Sequence, residues 1–121
     1  MTIAVIEEAQ AVENIDAIAS APGLDVLFIG TSDLAFSLGV RGDQQHPLVC
    51  DAVRKIVEAG KKHGKTLGAP ALDLAQMQKR IEEGFLFFQT RTELGFMALA
   101  AKELLAPLGK GVSAADPKTL Y

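Results

Sequence analysis

Short runs of consecutive apolar residues alternate with segments whose apolar positions recur at helical spacing, four times along the chain. The first run is Ile3-Ala4-Val5-Ile6, ending at Glu7. A helix follows from about Ala9 to Ala21, with Val12, Ile15 and Ala19 on one face, and Pro22-Gly23 breaks it. The second run, Val26-Leu27-Phe28-Ile29, closes on Gly30 and the polar turn Thr31-Ser32-Asp33, followed by a short apolar piece, Leu34 to Leu38. A Gly- and Gln-containing loop, Gly39 to Gln45, leads to His46-Pro47. Proline suits the first position of a helix, here running to about His63 with Gly64 as terminator. The third run, Thr66-Leu67-Gly68-Ala69, stops at Pro70. Asp73 and Gln76 then have capping-box spacing, and Leu74, Met77 and Ile81 line one face of the helix they open. The fourth run is Phe85-Leu86-Phe87-Phe88, and a last helix spans roughly Glu93 to Leu105.

Continuously apolar strands alternating with amphipathic helices read as parallel βαβ units, because such strands are covered on both faces. The fold class is α/β. Four units make either a small open doubly wound sheet or about half of a (β/α)8 barrel, whose full form takes about 250 residues. The chain has 121 residues. Residues 1–109 are expected to form the half-barrel, and residues 110–121 a polar, flexible tail.

Composition narrows the function. Twelve Lys+Arg against 15 Asp+Glu give a net charge of −3, with a pI near 5.3. That balance argues against nucleic acid as a partner, which needs a basic face. No apolar run approaches the roughly 20 residues of a membrane span, and no leader opens the chain, so a cytoplasmic protein is expected. Cys50 is the single cysteine; it excludes a disulfide framework and a multi-cysteine metal site, and in the packed helix region it reads as an inert small hydrophobe.

In parallel α/β folds, ligands sit at the carboxyl ends of the strands. Glu7 and Asp33 fall there, just past consecutive and therefore neighbouring strands. Two converging carboxylates suit Mg²⁺, which is commonly held by one or two carboxylates with the remaining positions open. Alternatively, each acid simply sits in the first turn of the helix after it. Gly30-Thr31-Ser32 allows close backbone approach, and its N–H groups can receive a carboxylate or phosphate; a plain strand-to-helix turn is the alternative. His46 reads as a helix-start residue. His63, with Lys61, Lys62 and Lys65, reads as a solvated helix end. Arg91 can bind an acidic substrate or pair at the surface.

Several segments together resemble one family. Val5-Ile6-Glu7 with Ala11-Val12-Glu13-Asn14-Ile15 is similar to its first segment. Asp25-Val26-Leu27-Phe28-Ile29-Gly30-Thr31-Ser32-Asp33-Leu34, then Leu38-Gly39, resembles its central motif. His46-Pro47, Gly64-Lys65, Glu83-Gly84-Phe85 and Leu94-Gly95 follow in the expected order. The family is the HpcH/HpaI metal-dependent pyruvate aldolases, with the citrate lyase beta-subunit and macrophomate synthase groups as relatives.

The resemblance implies the fifth to eighth units of a TIM barrel. It also implies a divalent metal, Mg²⁺ first and Mn²⁺ or Co²⁺ as alternatives, on Glu7 and Asp33, with the substrate carboxylate on backbone amides of Gly30, Thr31 and Ser32. The implied reaction cleaves 4-hydroxy-2-oxo acids to pyruvate and an aldehyde; the alternative is a non-catalytic half-barrel that binds metal and oxo acid. The family's catalytic Arg and His-Asp base belong to its amino-terminal half, so no catalytic residue is assigned here. Glu8 and Glu93 depart from the residues usual at their positions. Two open sheet edges and an uncovered apolar face lead to an expected homo-oligomer, or pairing with an amino-terminal half-barrel.

Overall fold

The computed structural model describes residues 1–108; the expected tail at 110–121 lies outside the described residues. Two units are distinguished, Met1–Gln89 and Thr90 onward.

The first unit is a four-stranded parallel sheet in the order β1-β2-β3-β4. The strands are β1 (Ile3–Ile6), β2 (Val26–Ile29), β3 (Thr66–Pro70) and β4 (Phe85–Gln89). Each pairs with the next one in sequence, so the order never reverses. A doubly wound sheet has a reversal point, so that alternative fails and the barrel-type order holds. The connections carry α1 (Ala9–Glu13), α2 (Ile15–Ala19), α3 (Thr31–Ser37), α4 (Pro47–Lys62) and α5 (Leu74–Glu82).

The register separates two faces. Leu27 lies opposite Ala4 and Leu67, and Ile29 opposite Ile6. With Ala69 and Phe85 these residues are buried against Val12, Ile15 and Ala19 of α1 and α2, Leu34 of α3, and Ala52, Ile56 and Ala59 of α4. The helix layer comes close at Gly60, where an added Cβ would stand 2.6 Å from Leu67 Cδ2. The other face carries Val5, opposite Phe28, and Gly68 opposite Phe28 and Phe87. The Phe28 and Phe87 rings meet edge to face, 6.2 Å apart, a contact that Gly68 permits because its own Cβ would lie 2.8 Å from Phe28 Cδ2. This face has no helix over it in the unit, and Val5 is half exposed.

Local chemistry accounts for most boundaries. His46 caps α4, its Nδ1 accepting from Leu48 N–H, and Pro47 opens the first turn. At the far end Gly64 adopts φ +63°. Lys65 N–H there donates to Gly60 C=O and Gly64 N–H to Lys61 C=O, the pair of bonds that ends a helix on a left-handed glycine.

Two expectations need correction. The helix anticipated over Ala9–Ala21 is two short helices, interrupted at Asn14 (φ −97°, ψ 12°). The Asn14 side chain donates to Gln10 C=O, the carbonyl that also takes Asn14 N–H, and such back-bonding bends a helix. The capping box opening α5 is half formed: Asp73 accepts from Gln76 N–H at 2.8 Å, but Gln76 Oε1 takes Leu72 N–H rather than that of Asp73. The face of α5 that Leu74, Met77 and Ile81 line is not buried in the unit, and Leu74 and Ile81 stand exposed.

The second unit contains α6 (Glu93–Leu105) and a 3₁₀ turn, Ala106–Leu108. Thr92 caps α6, its Oγ1 accepting from Gly95 N–H at 3.2 Å.

Candidate metal and oxo-acid site

The ladder between β1 and β2 runs one step past the strands, with Gly30 N–H donating to Ile6 C=O at 3.1 Å. This bond sets Gly30 beside Glu7, the first residue after β1. A Cβ on Gly30 would lie 3.1 Å from Glu7 Cβ and 3.2 Å from Glu7 Oε2. The position is therefore held by a residue without a side chain, and the Glu7 carboxylate occupies the space such a side chain would need. Gly30 has φ −84° and ψ 79°, so this close approach, and not a left-handed backbone, is what calls for glycine.

The chain enters α3 directly from Gly30, whose C=O accepts from Leu34 N–H at 2.9 Å. Thr31 is the one buried polar residue among the described ones. Ser32 and Asp33 are exposed beside it in the first turn. An open cleft of about 1200 Å³ runs along the unit, and Glu7, Gly30, Thr31, Ser32 and Asp33 all line it. The structure thus brings all five expected site residues to one cleft at the carboxyl ends of β1 and β2.

The capping alternative is not realised as a hydrogen bond. Neither α1 nor α3 has a side-chain cap, although Asp33 does occupy the first turn of α3, where a negative charge interacts favourably with the helix dipole. Among the described residues, Glu7 and Asp33 accept no side-chain hydrogen bond and pair with no cation. Two unpaired carboxylates on one cleft are a hard-oxygen donor set. No third His, Cys, Asp or Glu joins them among the described residues. The set fits a cation of the Mg²⁺ type, which retains waters or substrate oxygens alongside one or two carboxylates.

Other polar residues have different places. His46 is a helix cap. His63 Nε2 lies 2.9 Å from Asp16 Oδ1 and Lys62 Nζ 2.7 Å from the same oxygen. These contacts hold the Asp16 carboxyl below its usual range, chiefly through Lys62 and then His63. The cluster is thus a clamp between α2 and the end of α4 rather than a set of free cations. Lys65 donates to the Ala21 and Leu24 carbonyls. Cys50 is exposed on the cleft, its Sγ 3.5 Å from Gln45 C=O, which corrects its reading as a packed hydrophobe. Arg91 belongs to the second unit, beside Gly95.

The residue pattern did not single out Gln44 or Gln45. Both line the cleft, and Gln44 Oε1 accepts from Thr31 Oγ1–H at 2.8 Å. The only signal available was two adjacent amides just before the helix-starting His46-Pro47.

Consecutive parallel βα units in sequence order, with acidic residues at the strand carboxyl ends, define a segment of a barrel-type α/β fold. Residues 1–100 match the model of the HpcH/HpaI aldolase/citrate lyase family, and the chain belongs to that family. It is 38% identical over 104 residues to a hydroxypyruvate/pyruvate aldolase of Paraburkholderia phytofirmans, covering 86% of this chain and 40% of that protein. It is 39% identical over 99 residues to a 5-keto-4-deoxy-D-glucarate aldolase of Citrobacter koseri, covering 82% of this chain and 38% of that one. A solved HpcH/HpaI aldolase/citrate lyase family structure from Burkholderia cenocepacia superposes with a TM-score of 0.80 at 34% identity, over 88% of this chain and 42% of that one. The chain therefore spans about two fifths of the length of the curated relatives it matches. No helix among the described residues is long and apolar enough to cross a membrane.

Proposed function

We propose that this chain supplies the metal- and carboxylate-binding half of a divalent-metal-dependent aldolase. The reaction cleaves a 4-hydroxy-2-oxo acid to pyruvate and an aldehyde. The observation that carries the proposal is the placement of the Glu7 carboxylate against side-chain-free Gly30, on the same cleft as Asp33. Named relatives that act on pyruvate, hydroxypyruvate or a keto-deoxy sugar acid support the substrate class.

Glu7 and Asp33 would hold the ion, Mg²⁺ by preference, with Mn²⁺ or Co²⁺ as substitutes. When bound, it supplies Lewis-acid polarisation of the 2-oxo and carboxylate oxygens. The Gly30-Thr31-Ser32 backbone amides would receive the substrate carboxylate, fixing the 2-oxo acid across the ends of β1 and β2. In the cleavage the C3–C4 bond breaks. The C4 hydroxyl gives up its proton as that carbon becomes the aldehyde, and C3 takes a proton to become the methyl group of pyruvate. Neither histidine is free for the first transfer: His46 Nδ1 accepts a helix-capping bond, and His63 is engaged with Asp16. In the family that this chain resembles the base belongs to the amino-terminal half, and we place it there, on a second half-barrel that covers the Val5, Phe28 and Phe87 face. The occupied histidines also favour one second reading, in which the chain alone binds metal and oxo acid without turnover.

Pyruvate release from 4-hydroxy-2-oxo acids with added Mg²⁺ or Mn²⁺, by the chain paired with the amino-terminal half of a relative's barrel, tests the proposal. Activity abolished by Glu7→Gln or Asp33→Asn and retained by His63→Ala supports the aldolase reading. Metal and oxo-acid binding without release supports the second. Activity indifferent to both carboxylates contradicts both.

A further inference from the structure

The loop from Gly39 to His46 borders the same cleft, and its conformation is specified by its own bonds. Gly39 and Gly42 take φ +76° and +78°. Val40 N–H donates to Ala35 C=O, His46 N–H to Asp43 C=O, and Gln45 N–H to Asp43 Oδ1. One side-chain bond joins this loop to the strand-end turn, from Thr31 Oγ1–H to Gln44 Oε1 at 2.8 Å. Thr31 is only 9% exposed, so Gln44 spares a hydroxyl with little access to water from being left unpaired. The Gln44 amide is thereby held with its Oε1 on Thr31, and the residue itself lines the cleft with Asp33 two positions beyond Thr31.

We propose that Gln44 is a positioning residue: through Thr31 it sets the first turn of α3, and so the place of Asp33, relative to Glu7. The inference rests on the metal reading given above and adds to it a residue outside the strand-end motif. Its physical content is a coupling. Thr31 and Gln44 act as one unit, so losing either loosens the turn, and losing both costs no more than losing one. A net hydrogen bond of ordinary strength corresponds to a two- to twelvefold change in a binding constant, as an order of magnitude.

The test is Mn²⁺ titration by electron paramagnetic resonance, followed by pyruvate titration of the Mn²⁺-loaded chain, on the 121-residue chain. Wild type is compared with Gln44→Leu, Thr31→Val, the double variant, and Thr31→Ser, with thermal melting of each. The expected result is a Kd for Mn²⁺ raised about three- to tenfold in each single variant. The double variant should be no weaker than the singles and Thr31→Ser close to wild type, with a melting temperature lowered in Gln44→Leu, where the Thr31 hydroxyl is left unpaired, and no lower in the double variant. Limited trypsin cleavage after Arg41 reads the loop contact without any ligand and should quicken in Gln44→Leu. Unchanged affinity in Gln44→Leu, or additive losses in the double variant, would overturn the coupling. A wild-type chain that binds no Mn²⁺ would overturn the metal reading and with it the positioning role; the trypsin comparison would then still decide whether the loop contact exists.

Discussion

Replacing Gly30 by alanine separates the site from the fold. The backbone there has φ −84° and ψ 79°, within reach of an L-residue, and a more restricted unfolded chain favours alanine by about 0.4–1 kcal/mol. The opposing contact is local, since the new Cβ would stand 3.1 Å from Glu7 Cβ and 3.2 Å from Glu7 Oε2. Glu7 must yield. Glu7 Cβ is fixed by the backbone, so the paired strand ends must part by a few tenths of an ångström while the carboxylate tilts off its rotamer; the tilt costs about 0.5–1.5 kcal/mol, close to the entropic gain, so global stability should stay within about 1–2 kcal/mol of wild type. If the tilted carboxylate still reaches the ion, that same cost returns as a Kd for Mn²⁺ about two- to twelvefold weaker. If instead it swings to another rotamer, affinity falls to the level of Glu7→Gln. Urea denaturation and Mn²⁺ titration on one preparation decide the matter. Unchanged Mn²⁺ affinity in a folded Gly30→Ala chain would show that the Glu7 carboxylate is not a ligand where it stands.

Other substitutions test the framework. Gly60→Ala places a Cβ 2.6 Å from Leu67 Cδ2 in the packed helix–sheet layer. Overpacking of about 1–3 kcal/mol then outweighs the helix gain of about 1 kcal/mol, and urea denaturation should show a net loss with metal affinity retained. Asp73→Ala removes the cap bond to Gln76 N–H and should cost about 1 kcal/mol, read as faster amide exchange in the first turn of α5. Asp16 titrates below its usual value of 3.8 in the folded chain. Its contribution to stability is therefore present above that pH and is lost as pH falls through the lowered value. The stability gap between wild type and Asp16→Asn should be open at neutral pH and close in acid; a gap independent of pH contradicts the clamp.

Much of the framework is legible in the chain because its signals are local and strong. β1 and β2 begin and end as their apolar runs do, and α4 follows from Pro47 at one end and Gly64 at the other. The expected bounds of α6, Glu93 to Leu105, also agree with the structure. What escapes depends on competition or on distance. Asn14 sends both its N–H and its side-chain amide to Gln10 C=O, and the interruption shows only in its dihedral angles, which no periodicity of apolar residues records. The Leu74–Ile81 stripe predicts a helix but not what, if anything, covers it.

At the site, the acids were visible as polar residues ending apolar runs. The reason for Gly30 was not, because it depends on Glu7, 23 positions earlier, arriving alongside through strand pairing. Gln44 escaped for a similar reason, since an amide in a loop has no periodicity and acquires meaning only from Thr31. Cys50 was misread because its place on the exposed side of α4 depends on the helix's rotation over the sheet.

Whether Glu7 and Asp33 share a single ion is decided by a Mn²⁺ titration monitored by electron paramagnetic resonance. Wild type should bind a single Mn²⁺ per chain, Glu7→Gln and Asp33→Asn should each weaken that binding by about tenfold or more, and the double variant should lose it. Two separate weak sites, each abolished by a different substitution, would show that the two carboxylates hold no ion in common.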